Sequence, residues 1–403
     1  MARTATGAAM SATPPPESPA QQPHHAAGTV RDLRGGMRLA VDGVRGAIGL
    51  VEEVHERLAH ITPPVRGFSP GRPGRGWPAF VYRSLRGTTD LVGGGLDLLL
   101  ASVQASLQTP QRDRAPEAVR PTREALVAAL NALAGDHLHR TDNPLAVALQ
   151  LRLPRAPARP RVLVLVHDLG LNDLQWRQDG HDHGEALAAA LDCTPVYVQY
   201  NTGRHVAASG RELAAELERR LGSWPVALQG LAMLGHGMGG LVLRSALDQA
   251  VRAGMGWPTQ LQKLVFLGTP HLGARLGSGL DLLLRSGLGA QAMVAPLVRL
   301  GRRRSDGIDD VLQGRYLDPD AGLAAPLAPP WPPGCAVHAI AGVCGDGTGD
   351  GLVPLASALG RAESPAQDLQ IPEDHRWIAQ GVDHLGLLRS EAVLGTMRQW
   401  LSA

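Results

Sequence analysis

The sequence predicts an α/β architecture: a mostly parallel sheet with helices on both faces, preceded by an all-helical N-terminal region. Three observations predict it. Beyond residue 145, short β-branched apolar runs alternate with helical stretches, the pattern of strands joined by crossover helices. Upstream, apolar residues recur in steps of three and four, the period of amphipathic helices. The chain has 403 residues, 44% of them hydrophobic, enough for a large core at about 150 residues per domain.

Residues 1–28 are rich in Ala, Pro, Ser and Thr and read as a disordered tail. Residues 29–140 form the helical region. Leu33, Met37, Val41, Val44, Ile48, Val51, Val54, Leu58 and Ile61 make one apolar stripe, ended by Pro63 and Pro64. Phe80 to Leu107 reads as a second helix, and Thr122 to Ala134 as a third with Gly135 as its stop signal. Packing within the protein is the favoured use of these stripes. The alternative, peripheral contact with a membrane surface, suits helices richer in basic and aromatic residues. In the remaining domain, 141–403, strands are expected at 146–153, 161–166, 195–199, 230–234, 262–267 and 335–342. Helices are expected at 184–192, 206–222, 238–253 and 389–402. Residues 272–334 break the rhythm and read as a lid or cap insertion. The hexapeptide GLDLLL at 95–100 and again at 279–284 has unrelated flanks and is not a repeat.

Composition narrows the function. Net charge is +2 and Lys263 is the single lysine, without the clustered basic surplus of a nucleic-acid binder. No apolar run approaches the ~20 residues of a membrane span. No basic segment followed by an apolar one marks a secretory leader. Cys193, Cys335 and Cys344 are too few for a disulfide framework. Reduced thiols and a cytoplasmic location are expected.

The chemistry centres on Leu234-Gly235-His236-Gly237-Met238-Gly239-Gly240, after a strand and before a helix. As G-x-G-x-x-G it would hold a dinucleotide, but the next strand ends in Leu267-Gly268-Thr269-Pro270-His271 without the acid that motif requires. As a nucleophile elbow, G-x-S-x-G, every position fits except the nucleophile, where Gly237 stands for serine. An elbow of this kind is followed in chain order by an acid and then a histidine. Asp350, on a loop after a late strand, is the nominated acid, and Asp346 is the second candidate. His384, before the last helix, is the nominated base, its tautomer fixed by that carboxylate. The oxyanion hole would use the backbone N–H of Met238 and of Leu169, after the Val166-His167-Asp168 strand end.

Other candidates have simpler explanations. Asp179-Gly180-His181-Asp182-His183 resembles a metal cluster but lacks a partner at diagnostic spacing, and Asp182 or His183 serves equally as a helix start. His24 and His25 lie in the solvated tail, and Arg302 to Arg304 are a short run on a loop. No metal or organic cofactor is expected.

The chain resembles bacterial α/β-hydrolases of the esterase/lipase type, in the group related to lipases and to the GPI inositol-deacylase catalytic domain. The matching segments include LVLVHDLGLNDLQW (163–176), YNTGRH (200–205), LGHGMGGLVLRSA (234–246), KLVFLGTPHLGA (263–274), DGLVPLASALGR (350–361) and DHLGLLRS (383–390). The resemblance implies serine-dependent hydrolysis of a carboxylic ester, a small molecule or a lipid acyl ester, without cofactor. Two positions depart from it: Gly237 replaces the nucleophilic serine, and Asp168 replaces the glycine after His167. A fixed negative charge at Asp168 would oppose a developing oxyanion.

Without its serine a triad loses on the order of 10⁶ in turnover. Glycine also accepts the strained elbow conformation that other residues resist by about 1–3 kcal/mol. The vacated volume is expected to admit a water beside His384. Ser245, two turns on, is too far away to substitute. Two functions follow. One is an esterase/lipase-like hydrolase of weak or lost activity. The other is a pseudoenzyme that binds an acyl or lipid ligand, or a protein partner, in the former pocket. A third reading takes Gly237 as an engineered or erroneous residue, because one base change links common glycine and serine codons.

Overall fold

The computed structural model describes residues 119–178, 181–275, 304–317, 331–345 and 347–402. The tail at 1–28, the first two expected helices, most of the 272–334 insertion and Asp346 lie outside the described residues. Seven strands form the main sheet: β1 (Gln150–Arg152), β2 (Arg161–Val166), β3 (Cys193–Gln199), β4 (Gly230–His236), β5 (Leu261–Leu267), β6 (Ala336–Val343) and β7 (Arg376–Gln380). Their order is β1-β3-β2-β4-β5-β6-β7. Only β1 runs antiparallel, against β3; the other neighbours are parallel.

The central strands are buried on both faces, and their period-two alternation shows where each face goes. In β2, Val162, Val164 and Val166 enter one core cluster while Leu163 and Leu165 enter the other. Helices α3 (Val206–Gly222) and α4 (Met238–Arg252) cover the first face; α2 (His183–Leu191) and α7 (Glu391–Ser402) cover the second. Helix α3 buries Val206, Leu213, Leu217 and Leu221, spacing that puts one apolar stripe on the sheet. Asp182 caps α2 by accepting from Glu185 N–H at 3.0 Å.

The register brings four strand ends to one edge. Val166 pairs with Gly235, His236 with Leu267, and Leu267 with Ile340. The loops leaving β2, β4, β5 and β6 therefore open side by side along the carboxyl edge, where such sheets place their ligands.

The strands expected at 161–166, 195–199, 230–234, 262–267 and 335–342 form within about two residues of those limits. Three elements differ. The strand expected at 146–153 shrinks to three residues in β1. Strand β7 was not foreseen, because RWIAQ is half-polar and lies at the sheet edge. Helix α1 (Val119–Arg140) does not stop at Gly135. Its backbone breaks at Ala134 (φ −141°, ψ 18°) and winds on to Arg140. Gly135 instead allows a close approach: a Cβ there would overlap the Asn201 amide, which donates to Gly135 C=O at 2.9 Å.

Helix α1 is fastened to the sheet domain by buried polar side chains. Asn131 accepts from Val147 N–H at 3.0 Å and donates to Leu145 C=O at 2.9 Å. Ser305, the cap of α5 (Asp306–Gln313), donates to Ala132 C=O. Helix α6 (Leu355–Ala358) is a single turn after the Asp350 loop. No helix among the described residues is long and apolar enough to cross a membrane.

Candidate active site

The elbow is formed as the motif requires. Strand β4 ends at His236, Gly237 turns the chain at φ +51°, ψ −122°, and α4 starts at Met238. Gly237 N–H donates to Leu267 C=O at 2.9 Å, anchoring the turn to β5. The surrounding glycines serve close packing: a Cβ on Gly235 would strike the backbone of Gly240. This accounts for the G-x-G-x-x-G spacing without a phosphate.

Asp350 and His384 come together across 34 residues of sequence. His384 Nδ1 donates to Asp350 Oδ2 at 2.6 Å. Asp350 Oδ1 accepts from Leu352 N–H at 3.0 Å and Val353 N–H at 2.8 Å. His384 N–H donates to Asp350 C=O at 3.1 Å. Both side chains are buried, so the imidazole orientation is fixed from below.

Asp168, read from the sequence as a group that would crowd or charge the oxyanion hole, also has a place that sequence reasoning missed. Its Oδ2 lies 3.0 Å from His384 Nε2, and its Oδ1 accepts from Met238 N–H at 2.5 Å. A Cβ on Gly237 would overlap the carboxylate at Cγ, Oδ1 and Oδ2 alike. The carboxylate therefore occupies the nucleophile's side-chain volume and uses the amide expected to hold an oxyanion. The vacated space beside His384, expected to admit a water, is filled by Asp168. Leu169 follows it on the same loop, half-buried.

The loop carrying Asp168 is braced. Tyr200 Oη donates to His167 C=O at 2.8 Å, and the two rings stack at 4.5 Å. Leu171 N–H donates to Asp168 C=O at 3.2 Å, and Gly170 N–H to Thr202 Oγ1 at 3.2 Å. Asp168 is thus delivered by a rigid turn.

The electrostatics follow from one imidazole between two carboxylates. Burial by itself lowers the pKa of His384, but the charge of Asp350 and the hydrogen bonds to Asp168 and Asp350 outweigh it and raise the value to about 10. Burial would raise Asp168, yet its bond and attraction to His384 pull it down to about 2. Asp350 is also held below the usual carboxylate range, as His384 overcomes its burial. At neutral pH the site is carboxylate, imidazolium, carboxylate. A general base needs a neutral imidazole with a free Nε2; His384 offers neither.

His236 completes the cluster. Its ring lies 4.6 Å from that of His384, and its Nε2 donates to His384 C=O at 3.0 Å. Burial first, then the nearby His384, depresses its pKa to about 4. Among the described residues, Asp168, His236 and His384 form a group of three ligand-type side chains whose donor atoms lie within 4.8 Å of one another.

The remaining sequence candidates have structural employment. His181 Nε2 meets His183 Nδ1 at 2.7 Å, and His183 Nε2 donates to Leu387 C=O at 2.9 Å. Asp182 accepts from Tyr197 Oη at 2.9 Å besides capping α2; Asp179 and Gly180 lie outside the described residues. Ser245 is buried and accepts from Gln249 Nε2 at 3.0 Å.

Sheet order, elbow and the loop positions of Asp350 and His384 define an α/β-hydrolase fold. No known protein family matches the chain, and no curated protein does. Several solved structures are similar to it. A Bacillus licheniformis lipase in its mature form is 17% identical, with 63% of this chain and 98% of that one covered and a TM-score of 0.43. A type II thioesterase from the yersiniabactin pathway is 18% identical, with 62% and 96% covered and a TM-score of 0.39. A thioesterase from the prodiginine pathway of Streptomyces coelicolor is 18% identical, with 62% and 94% covered and a TM-score of 0.38.

Proposed function

We propose that this chain is an esterase/lipase-type hydrolase in construction, built for carboxylic esters, whose serine route is closed and whose ester turnover is weak or lost. One observation carries the reading: the Asp168 carboxylate takes both the nucleophile's volume at Gly237 and the Met238 N–H. The Asp350–His384 pair keeps the geometry of an acid and an orienting base. The resemblance to lipases and to the GPI inositol-deacylase catalytic domain makes a lipid acyl ester the leading substrate class.

The steric overlap also bears on how the two departures arose. In its present rotamer the Asp168 carboxylate leaves no room for a side chain at residue 237, which supports reading Gly237 and Asp168 as a matched pair. That favours a coordinated exchange over a stray change at Gly237.

The test is hydrolysis of short and long p-nitrophenyl esters by four chains, in chelator. The unaltered chain and Gly237→Ser should both be nearly silent, because Asp168 obstructs the new hydroxyl. Asp168→Gly with Gly237→Ser should be active, and adding His384→Ala should abolish that activity. A folded but inactive Asp168→Gly/Gly237→Ser chain would overturn the reading.

A second reading, a pseudoenzyme that binds an acyl or lipid ligand or a protein partner, is favoured by the locking of His384 between two carboxylates. Saturable binding without turnover, insensitive to His384→Ala, would select it.

A further inference from the structure

We propose that Asp168, His236 and His384 form a binding site for one divalent first-row transition ion of the zinc type. The donors converge at the strand ends: Asp168 Oδ2 and His384 Nε2 are 3.0 Å apart, and all three groups place a donor within 4.8 Å of the others. An ion with Zn–N and Zn–O bonds near 2.0–2.1 Å sets tetrahedral donors about 3.3 Å apart. The first pair already has that spacing, and the third donor closes by at most ~1.5 Å.

The second observation is an unpartnered lone pair. His236 is fully buried and its Nδ1 has no hydrogen-bond partner. A carbonyl only accepts, so the bond from Nε2 to His384 C=O fixes the proton on Nε2 and leaves Nδ1 bare. A buried acceptor without a donor calls for a reason; His167, His271 and His338 also carry bare ring nitrogens, but His236 alone of these belongs to a group of ligand-type side chains among the described residues.

The supporting bonds are those a metal site uses. Ligating imidazoles donate their second N–H to a carboxylate or a carbonyl. His384 gives Nδ1–H to Asp350, itself held by Leu352 and Val353 N–H. His236 gives Nε2–H to a carbonyl. Asp168 Oδ1 is fixed by Met238 N–H. Binding releases the His384 Nε2 proton to solvent, and the dication then replaces the imidazolium charge and balances both buried carboxylates. Two nitrogens and one carboxylate oxygen suit zinc and its neighbours, with a further coordination position open to a water or an ester carbonyl oxygen. Gly237 is part of the site, since any side chain there would displace Asp168. The binding claim stands on this geometry. Only its use, Lewis-acid assistance to ester hydrolysis, rests on the hydrolase reading above.

The experiment titrates the chelator-stripped full chain with Zn²⁺ by calorimetry, and with Co²⁺ by visible absorption. One saturable equivalent is expected. His236→Ala and Asp168→Asn should each weaken it by more than the ~10–100-fold that loss of a supporting partner costs. A chain with His24→Ala and His25→Ala should bind as the unaltered one does. Absence of a saturable equivalent, or affinity indifferent to His236→Ala and Asp168→Asn in folded chains, overturns the proposal. If those variants do not fold, Co²⁺ added to the unaltered chain decides. Paramagnetic shifts of the His236 and His384 ring signals support the site, and unshifted signals overturn it. Failure here leaves the serine turnover of the Asp168→Gly/Gly237→Ser chain unaffected, so the two claims fail separately.

Discussion

Placing a serine at residue 237 alone should destabilise this protein severely and give no activity. The new Cβ overlaps the Asp168 carboxylate at three atoms, and overpacking of that kind costs about 1–3 kcal/mol. The backbone at φ +51°, ψ −122° adds about 1–3 kcal/mol for a residue with a side chain. Asp168 must also swing off Met238 N–H, forfeiting a charge-assisted bond of about 1.5–3 kcal/mol. Because the swing relieves the overlap, only one of these two costs adds to the backbone term, giving on the order of 4 kcal/mol against a total stability of about 5–15 kcal/mol for a typical domain. With Asp168→Gly in the same chain the overlap disappears, and the backbone cost and the loss of the Asp168 bonds to Met238 N–H and His384 remain. Urea unfolding of the unaltered chain, both single variants and the double variant therefore forms a cycle. The double variant should be more stable than the sum of the singles by roughly 3 kcal/mol, at the upper end for contacting residues. Additivity within about 0.5 kcal/mol would refute the claim that Gly237 and Asp168 are sterically interlocked.

The charge pair makes stability depend on pH with a defined sign. His384 is raised from 6.5 to about 10, so its contribution is complete below pH 6.5 and is lost as pH rises through about 10, by up to ~1.4 kcal/mol per unit. Asp168 is lowered from 3.8 to about 2, so its share is complete above pH 3.8 and is lost as pH falls through about 2. Unfolding of the metal-free chain should thus show maximum stability between those limits, and a flat profile from pH 6.5 to 10 would contradict the pairing. Asp168→Asn should move the His384 titration, followed by ring NMR signals, towards neutrality; an unmoved titration would mean that Asp350 alone sets it. Leu163→Ala, at a fully buried β2 position, should cost about 2–5 kcal/mol in denaturant unfolding. Asn131→Ala leaves Val147 N–H and Leu145 C=O without their partner. It should cost about 1–3 kcal/mol for each group left unsatisfied and speed proteolysis at α1, and unchanged cleavage would mean that α1 is held by packing alone.

The central strands were legible because burial on both faces leaves unbroken apolar runs, as in Val162 to Val166. Strand β7 was not, since an edge strand with Arg376 and Gln380 carries no such run. The helix stop at Gly135 failed because glycine there answers a tertiary contact with Asn201 and not a local conformation. Asp350 and His384 could be nominated from chain order, as loop positions are fixed relative to the strands. The role of Asp168 could not, because its partners Met238 and His384 lie 70 and 216 residues away. The same separation hides the three ligand-type side chains: no local spacing links residues 168, 236 and 384; the register of β2 and β4 brings the first two together, and His384 joins them from the loop after β7.

That register changes what the missing serine means. In sequence, Gly237 is a deletion from an otherwise intact elbow, and Asp168 a separate intrusion into an oxyanion loop. In space they meet: the Asp168 carboxylate, from the neighbouring strand end, stands where a side chain on Gly237 would go. That carboxylate gives a partner to His384 Nε2 and to Met238 N–H, so neither buried polar group is orphaned by the absence of a hydroxyl at residue 237. It also reverses the electrostatics. A neutral serine leaves the histidine free to take a proton, whereas a carboxylate holds it charged. A site that had merely decayed would leave Nε2 and the amide unsatisfied, a cost of about 1–3 kcal/mol for each. Here both are satisfied, the strained turn is relaxed by glycine, and His236, grouped with Asp168 and His384, is left with a bare Nδ1. Selection for stability alone explains the first two features but leaves the third as an uncompensated burial, which a bound cation would remove.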